Sequence, residues 1–282
     1  MSAAPASPVV LTTGGVAVPQ LGLGVFKIAP DQVQRVVEEA LEVGYRHIDT
    51  AAAYVNEVGV GAALRASGLP RDEVFVTSKL RNGDQGRGST RRAHADTLER
   101  LGLERLDLYL VHWPNPSAGL YVETWAELAE MEDEGAVRAV GVSNFMPEHL
   151  ADLAAAGLPA PAVNQVELHP TFQQEAVVGA TRALGTVVQA YSPLGQGVDL
   201  DLAPVTDAAR AHDATPAQVV LAWHRQRGHV AIPKTSSRHR LEENLASLRL
   251  ELTPAEVDAV TRLDSGHRIG GDPATFDLSQ IR

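Results

Sequence analysis

Along the chain, short runs of aliphatic, β-branched and aromatic residues alternate with longer stretches in which apolar positions return every three or four residues. The short runs are QLGLGVF (20–26), RHIDTA (46–51), EVFVTSKL (73–80), LDLYLVH (106–112), VRAVGVSN (137–144), AVNQVEL (162–168), VVQAYSP (187–193) and HVAIPKT (229–235). Their length and composition predict strands. The amphipathic stretches DQVQRVVEEALEVG (31–44), STRRAHADTLERLG (89–102), YVETWAELAEMEDEG (121–135) and QEAVVGATRALG (174–185) predict helices, several ended by the glycine expected just past a helix C-terminus. Strand followed by helix, repeated, implies a parallel sheet.

Eight such units without a composition break or long linker fit a closed (β/α)8 TIM barrel, one domain over 1–282, better than an open doubly wound sheet in two domains. The seventh connection is longer, with one helix near 203–213 and another near 215–228. VVLTTGGVAVPQ (9–20) reads as a hairpin turning at Gly14-Gly15, behind a frayed N-terminus at 1–8. LTPAEVDAVTRLD (252–264) predicts a helix after the eighth unit, with Thr253 as N-cap and Pro254 in its first turn, and a polar tail follows over 265–282.

Length and composition narrow the picture. A (β/α)8 domain commonly takes about 250 residues, so 282 suit one barrel. The chain has no cysteine, which excludes thiol catalysis, disulfides and cysteine metal sites. With 24 basic against 35 acidic residues the net charge is −11, and no basic cluster is long enough to track a phosphate backbone, so nucleic acid is not an expected partner. MSAAPASPVV lacks a charged n-region and an apolar h-region, and no segment reaches the length of a membrane span, so a soluble, cytoplasmic protein is expected. The basic residues are arginine except for Lys27, Lys79 and Lys234. A lysine kept where arginine prevails raises the question of whether a tunable amine is needed there.

In such a barrel the active site lies at the C-terminal ends of the strands. Asp49 ends the second strand, Tyr54 follows in the next loop, Lys79 ends the third strand and His112 the fourth. Singly, each has an ordinary reading as a cap, an ion-pair partner or a satisfied structural group. Together they make a proton-delivery device. A tyrosine serves as general acid if its pKa, near 10 in water, is brought toward neutrality. A nearby ammonium would stabilise the phenolate, a carboxylate would keep the ammonium charged, and a neutral histidine would orient a carbonyl oxygen.

A hydride donor is then needed, and the usual dinucleotide fingerprint is absent. GLGVFK has G-x-G spacing without a third glycine, and GVGAAL lies inside a predicted helix. Ser143 and Asn144 end the fifth strand, Gln165 lies in the sixth and Tyr191 ends the seventh. Amide and hydroxyl groups pair with a carboxamide and a tyrosine face stacks on a nicotinamide ring, although loop capping is the simpler use of such residues. IPKTSSRHRLEENL then gathers Lys234, Thr235, Ser237 and Arg240 at a helix start. Cations, hydroxyls and the positive helix end favour a phosphate monoester, which NADPH carries and NADH lacks.

GYRHIDTAAAY, FVTSKL, DLYLVHWPNP, GVSNF, NQVELHP, AYSPLGQG and IPKTSSRHRLEENL resemble, in order and spacing, the motifs of the aldo-keto reductase family across nearly the whole chain. GLGVFKI and TPAQVVLAWH add a resemblance to its small bacterial reductases of the 2,5-diketo-D-gluconic acid reductase type. The resemblance implies Tyr54 as proton donor, Lys79 and Asp49 as its tuning pair, and His112 as orienter of the substrate carbonyl. It implies Ser143, Asn144 and Gln165 on the carboxamide, Tyr191 beneath the ring, and the loop carrying Ser192, Leu194 and Gln196 along the pyrophosphate. Lys234, Thr235, Ser237 and Arg240 match the grip on the 2′-phosphate, and Glu243 and Asn244 the contacts to adenine. The implied cofactor is NADPH/NADP+, the implied partner a small carbonyl substrate, and the implied state a monomer.

The chain departs from the family's pattern in its substrate pocket. Arg81 follows Lys79-Leu80 where many relatives carry tryptophan, and it either favours an anionic or hydroxylated carbonyl compound or points into solvent. Phe26 also stands at a position often held by tryptophan, and Trp113 is expected to supply an apolar wall. Three rivals stay open: a Schiff-base lyase using Lys79 or Lys234, a metal hydrolase using His47, Asp49 and His112, and a non-catalytic NADPH sensor.

Overall fold

The computed structural model describes residues 7–276. It opens with an antiparallel hairpin of β1 (Val9–Leu11) and β2 (Ala17–Pro19), in register Val10 to Val18. The turn is the expected one: Gly15 takes φ +76°, a conformation that costs glycine little, and its N–H donates to Thr12 O at 2.9 Å. Of the stretch expected to fray, residues 1–6 lie outside the described ones, while Gln20 N donates to Pro8 O at 2.8 Å and Leu21 N to Ser7 Oγ at 3.1 Å.

The barrel strands follow in chain order, each paired in parallel with the next: β3 (Leu23–Gly24), β4 (His47–Asp49), β5 (Phe75–Leu80), β6 (Leu108–Val111), β7 (Val140–Ser143), β8 (Val163–Glu167), β9 (Val187–Tyr191) and β10 (Val230–Ala231). The sheet closes on itself where Ala231 N donates to Gln20 O at 2.7 Å, Gly22 N to Ala231 O at 2.9 Å and Gly24 N to Pro233 O at 3.1 Å. This is the (β/α)8 barrel. β10 ends at Ala231, short of the run that predicts it, and Pro233 has no N–H to extend the ladder further.

The seam also explains one of the two G-x-G motifs. A Cβ on Gly24 would lie 2.9 Å from Ile232 O, and one on Gly22 would lie 2.8 Å from the His47 ring. Those glycines let the first and last strands meet. The second motif serves helix packing, since a Cβ on Gly61 would lie 2.0 Å from Leu101 O.

The helices are α1 (Pro30–Val43), α2 (Glu57–Ala66), α3 (Ser89–Leu101), α4 (Tyr121–Asp133), α5 (Pro147–Ala155), α6 (Glu175–Ala183), α7 (Ala203–Ala211), α8 (Pro216–Gln226), α9 (Arg238–Ala246) and α10 (Pro254–Thr261). α1 shows the logic of the outer ring: Val33, Val36, Val37, Ala40 and Leu41 are buried on one stripe against the sheet. α5, nine residues long, is the helix whose pattern the sequence reading passes over. α7 and α8 fill the long seventh connection, and Thr253 caps α10 by accepting from Glu256 N at 3.3 Å. At the N-terminal end of the barrel, Val16 and Val18 of the hairpin pack with Phe75, Val163, Val187 and Val230 as a plug. Burying a valine fully contributes about 1.5 kcal/mol or more. The opposite end, where β4, β5, β6 and β7 finish, is left for chemistry.

Candidate active site

Lys79, the penultimate residue of β5, is the hub. Its Nζ donates to Asp49 Oδ1, to Thr50 O at 2.9 Å and to the Tyr54 hydroxyl oxygen at 3.3 Å, so all three ammonium protons are used. The β4–β5 register, Asp49 beside Thr77, places the carboxylate close enough for this. Tyr54 ends a short 3-10 turn, Ala52–Tyr54, after which Val55 takes the left-handed conformation at φ +57°. Asn56 fixes that turn by donating to Val25 O at 3.0 Å and Ile28 O at 3.2 Å while accepting from Thr50 Oγ1 at 2.9 Å.

His112 follows β6, with its ring centroid 5.7 Å from that of Tyr54 and nearly perpendicular to it at 73°. The Phe26 ring, in a residue 52% exposed, has its centroid 5.0 Å from that of Tyr54. The four residues expected to form one device therefore meet at one mouth.

The electrostatics correct one expectation. Burial, then the Asp49 charge, pushes the Tyr54 pKa well above its ordinary value, so it is not brought toward neutrality. Lys79 is itself drawn below its ordinary value by burial, against the opposing pull of Asp49. The hydroxyl thus stays protonated through the neutral range, as a proton donor must. His112 behaves as expected: burial, then the Lys79 charge, holds it well below its ordinary pKa and therefore neutral.

Ser143, Asn144, Gln165 and Tyr191 form one linked set on the next strand ends. Ser143 Oγ donates to Gln165 O at 2.9 Å, Asn144 Nδ2 to His112 O at 3.0 Å, and the Tyr191 hydroxyl to Asn144 Oδ1 at 2.9 Å. Gln165 Nε2 donates to Asp49 Oδ2 at 2.7 Å. Beyond β9, Ser192 and Gln196 both take left-handed backbone, at φ +47° and +51°, and Leu194 packs between them against the core.

At the start of α9, Ser237 is the N-cap residue but its hydroxyl makes no capping bond, and Thr235 is buried with its Oγ1 accepting from Ser237 N at 3.2 Å. Lys234 and Arg240 are exposed and, among the described residues, unpaired with any carboxylate, whereas Arg238 is engaged by Glu42 and Glu242. Glu243 stands 3.8 Å from the His239 ring, and Asn244 is buried.

Of the residues expected to line a substrate pocket, Trp113 is 7% exposed and stacks on Phe276 with centroids 3.8 Å apart and planes 16° apart. The Arg81 Nε lies 4.0 Å from Asp84, and the side chain is about half exposed, an arrangement that favours the solvent-facing alternative. The metal reading loses its first ligand: the His47 ring nitrogens sit 3.1 Å from Pro19 O and 3.2 Å from Thr77 Oγ1. Among the described residues, no group of three or more histidine and carboxylate side chains is arranged to hold an ion, and no helix is long and apolar enough to cross a membrane.

Residues 14–265 match the model of the Aldo/keto reductase family. The chain belongs to that family. An aldo-keto reductase of Mycolicibacterium vanbaalenii is 45% identical over 276 residues, covering 98% of this chain and 99% of the relative. A mutant of Gox0644 crystallised in complex with NADPH superposes with a TM-score of 0.92 at 41% identity, covering 97% of this chain and 100% of that one. The Bombyx mori aldo-keto reductase in complex with NADP gives 0.89 at 32% identity, over 98% and 97% of the two chains.

Sequence reasoning about this aldo-keto reductase missed Phe276 and the buried trio Glu167, His169 and Asp199. Phe276 is the one phenylalanine of a mostly polar tail, which was the available signal. Glu167 and His169 stand in the NQVELHP run, but Asp199 joins them only through the fold: His169 Nδ1 lies 2.8 Å from Asp199 Oδ2, 30 residues away.

Proposed function

We propose that this aldo-keto reductase reduces small aldehydes or ketones to alcohols with NADPH as reductant. The observation that carries the reading is the convergence of Lys79, Asp49 and Tyr54, with His112 beside them, at the open end of the barrel.

The donor chemistry of the neighbouring residues fits the cofactor. Asn144 and Gln165 carry amide groups suited to a carboxamide, and the Tyr191 ring is partly exposed for stacking. The uncapped Ser237 hydroxyl, the helix N-terminus and the unpaired Lys234 and Arg240 suit a phosphate monoester. Ser143 would hold the carboxamide with them, Ser192, Leu194 and Gln196 would line the pyrophosphate, Thr235 would join the phosphate grip, and Glu243 and Asn244 would face the adenine. When bound there, NADPH would supply the hydride that the carbonyl carbon needs.

The chain supplies the rest. Neutral His112 donates a ring N–H to the carbonyl oxygen and fixes its direction. Tyr54 passes its proton to that oxygen as the carbon is reduced, giving the alcohol. Lys79 already donates to the Tyr54 oxygen, so a positive charge stands against the phenolate as it forms, and Asp49 balances that charge while Tyr54 still holds its proton. Phe26 and Trp113 limit water at the reacting carbon, and Arg81 borders the pocket from the solvent side.

A fluorescence titration with NADPH and with NADH, followed by NADPH consumption on a panel of aldehydes and ketones, tests the reading. NADPH binding far tighter than NADH binding, with turnover on the panel, is the expected result. Binding of neither nucleotide would overturn it, and tight binding without turnover would favour the sensor.

A further inference from the structure

Glu167 ends β8, His169 follows in the next loop, and Asp199 belongs to the loop after β9; each is at most 1% exposed. His169 presents Nδ1 to Asp199 Oδ2 at 2.8 Å and Nε2 to Glu167 Oε1 at 3.2 Å. Ionised carboxylates only accept, so a neutral imidazole with one N–H would leave one of these contacts unmatched. Burial alone would lower the His169 pKa, but the hydrogen bonds and charges of Asp199 and Glu167 raise it to about 9. The ring is an imidazolium. The carboxylates lie on opposite edges of it, so the trio is a bridge and not an ion cage.

Each end of the bridge holds a different wall of the site. Asp199 also accepts from Thr171 Oγ1 at 2.7 Å, and the 192–199 loop is folded onto it so closely that a Cβ on Gly195 would lie 2.6 Å from Asp199 Oδ2. Glu167 accepts from the backbone N–H groups of Ile269 at 2.6 Å and Gly270 at 2.7 Å. Ser265 N and His267 N add two bonds to Thr171 O, both at 3.1 Å, and the Arg268 guanidinium covers the Phe172 ring at 4.6 Å. From there the tail runs to Phe276 on Trp113, beside His112.

We propose that His169 is a positioning residue that couples the cofactor side of the site to its substrate side, transmitting the order of the 192–199 loop through Asp199 and Glu167 to the tail at 265–276. The inference rests on the reading of that loop as the pyrophosphate contact. Cofactor binding that orders the loop then also seats the wall against which the carbonyl compound is held.

The test is backbone hydrogen exchange of the 265–276 segment in the full chain, with and without saturating NADPH, in the wild type, His169→Gln and Glu167→Gln, each also titrated with NADPH. In the wild type the cofactor slows exchange at Ile269 and Gly270 on the order of tenfold. In both variants NADPH still binds but this slowing is lost, and KM for the carbonyl substrate rises several-fold while kcat changes less. Glu167→Gln leaves the Asp199 end intact, so it carries the test if His169→Gln does not fold. Equal slowing in wild type and variants, or none in a wild type that binds NADPH, overturns the coupling alone. A wild type that does not bind NADPH overturns both the coupling and the proposed function.

Discussion

Gln165 Nε2 donates to Asp49 Oδ2 at 2.7 Å, from a residue 116 positions further along the chain. One side chain therefore faces the cofactor's carboxamide in the proposed function and anchors the carboxylate that holds Lys79. In that reading the cofactor half and the proton-transfer half of the site would share this buried hydrogen bond.

Gln165→Leu is expected to weaken NADPH binding and to lower kcat as well. It leaves a buried Asp49 oxygen without its donor, which costs about 1–3 kcal/mol. Titration and steady-state kinetics on the same preparation check this. A variant with weakened binding and wild-type kcat would show that the bond does not serve proton transfer.

Asp49→Ala removes one partner of a fully buried ion pair and leaves Lys79 with no counter-charge. Breaking such a pair destabilises by about 3–5 kcal/mol, far more than the loss of a surface pair. Chemical denaturation should show a fall of that size, and a stability within about 1 kcal/mol of wild type would mean that Lys79 is neutral and needs no partner.

How much of this was legible in the sequence depends on how locally each feature is written. The barrel was legible because each strand is a contiguous apolar run and α1 carries its buried stripe at regular spacing. Asp49, Lys79 and His112 were legible because they stand at or just past strand ends, and the fold brings strand ends together. The direction of the Tyr54 pKa was not, since a sequence names charged neighbours but not the burial that outweighs them. The Glu167, His169 and Asp199 bridge was hidden for a related reason: NQVELHP holds Glu167 and His169, but the end of β8 meets Asp199 and the tail only through the fold, and no periodic pattern marks such a meeting.

Lys234→Ala and Arg240→Ala should each raise KM for NADPH on the order of tenfold and leave KM for NADH nearly unchanged, because among the described residues no carboxylate pairs with them and in the proposed function their charge meets the phosphate monoester. The ratio of kcat/KM for the two nucleotides measures it. A parallel loss with both nucleotides would place these side chains elsewhere.

Stability should peak near pH of about 6.5. Burial is the largest cause holding His47, His94, His112, His224 and His229 below the ordinary histidine pKa, with His94 at about 4 and His224 at about 3. The unfolded chain binds protons there that the folded one refuses, so each can remove up to about 1.4 kcal/mol per pH unit as the pH falls below about 6.5. His169 has the opposite sign. Facing Glu167, Asp199 and the more distant His224, it is raised to about 9, so its contribution is complete below the ordinary value and lost as pH rises to about 9. Urea midpoints at pH of about 5, 6.5 and 9 check both limbs. A midpoint still rising between the upper two would contradict the imidazolium.

The most direct test of the central claim is Tyr54→Phe, which removes the proton and keeps the ring beside His112 and Phe26. The expected result is NADPH binding close to wild type, with carbonyl reduction lower by about 10²–10⁴-fold in kcat. Full turnover in that variant, with the cofactor bound, would show that the proton reaching the carbonyl oxygen does not come from Tyr54.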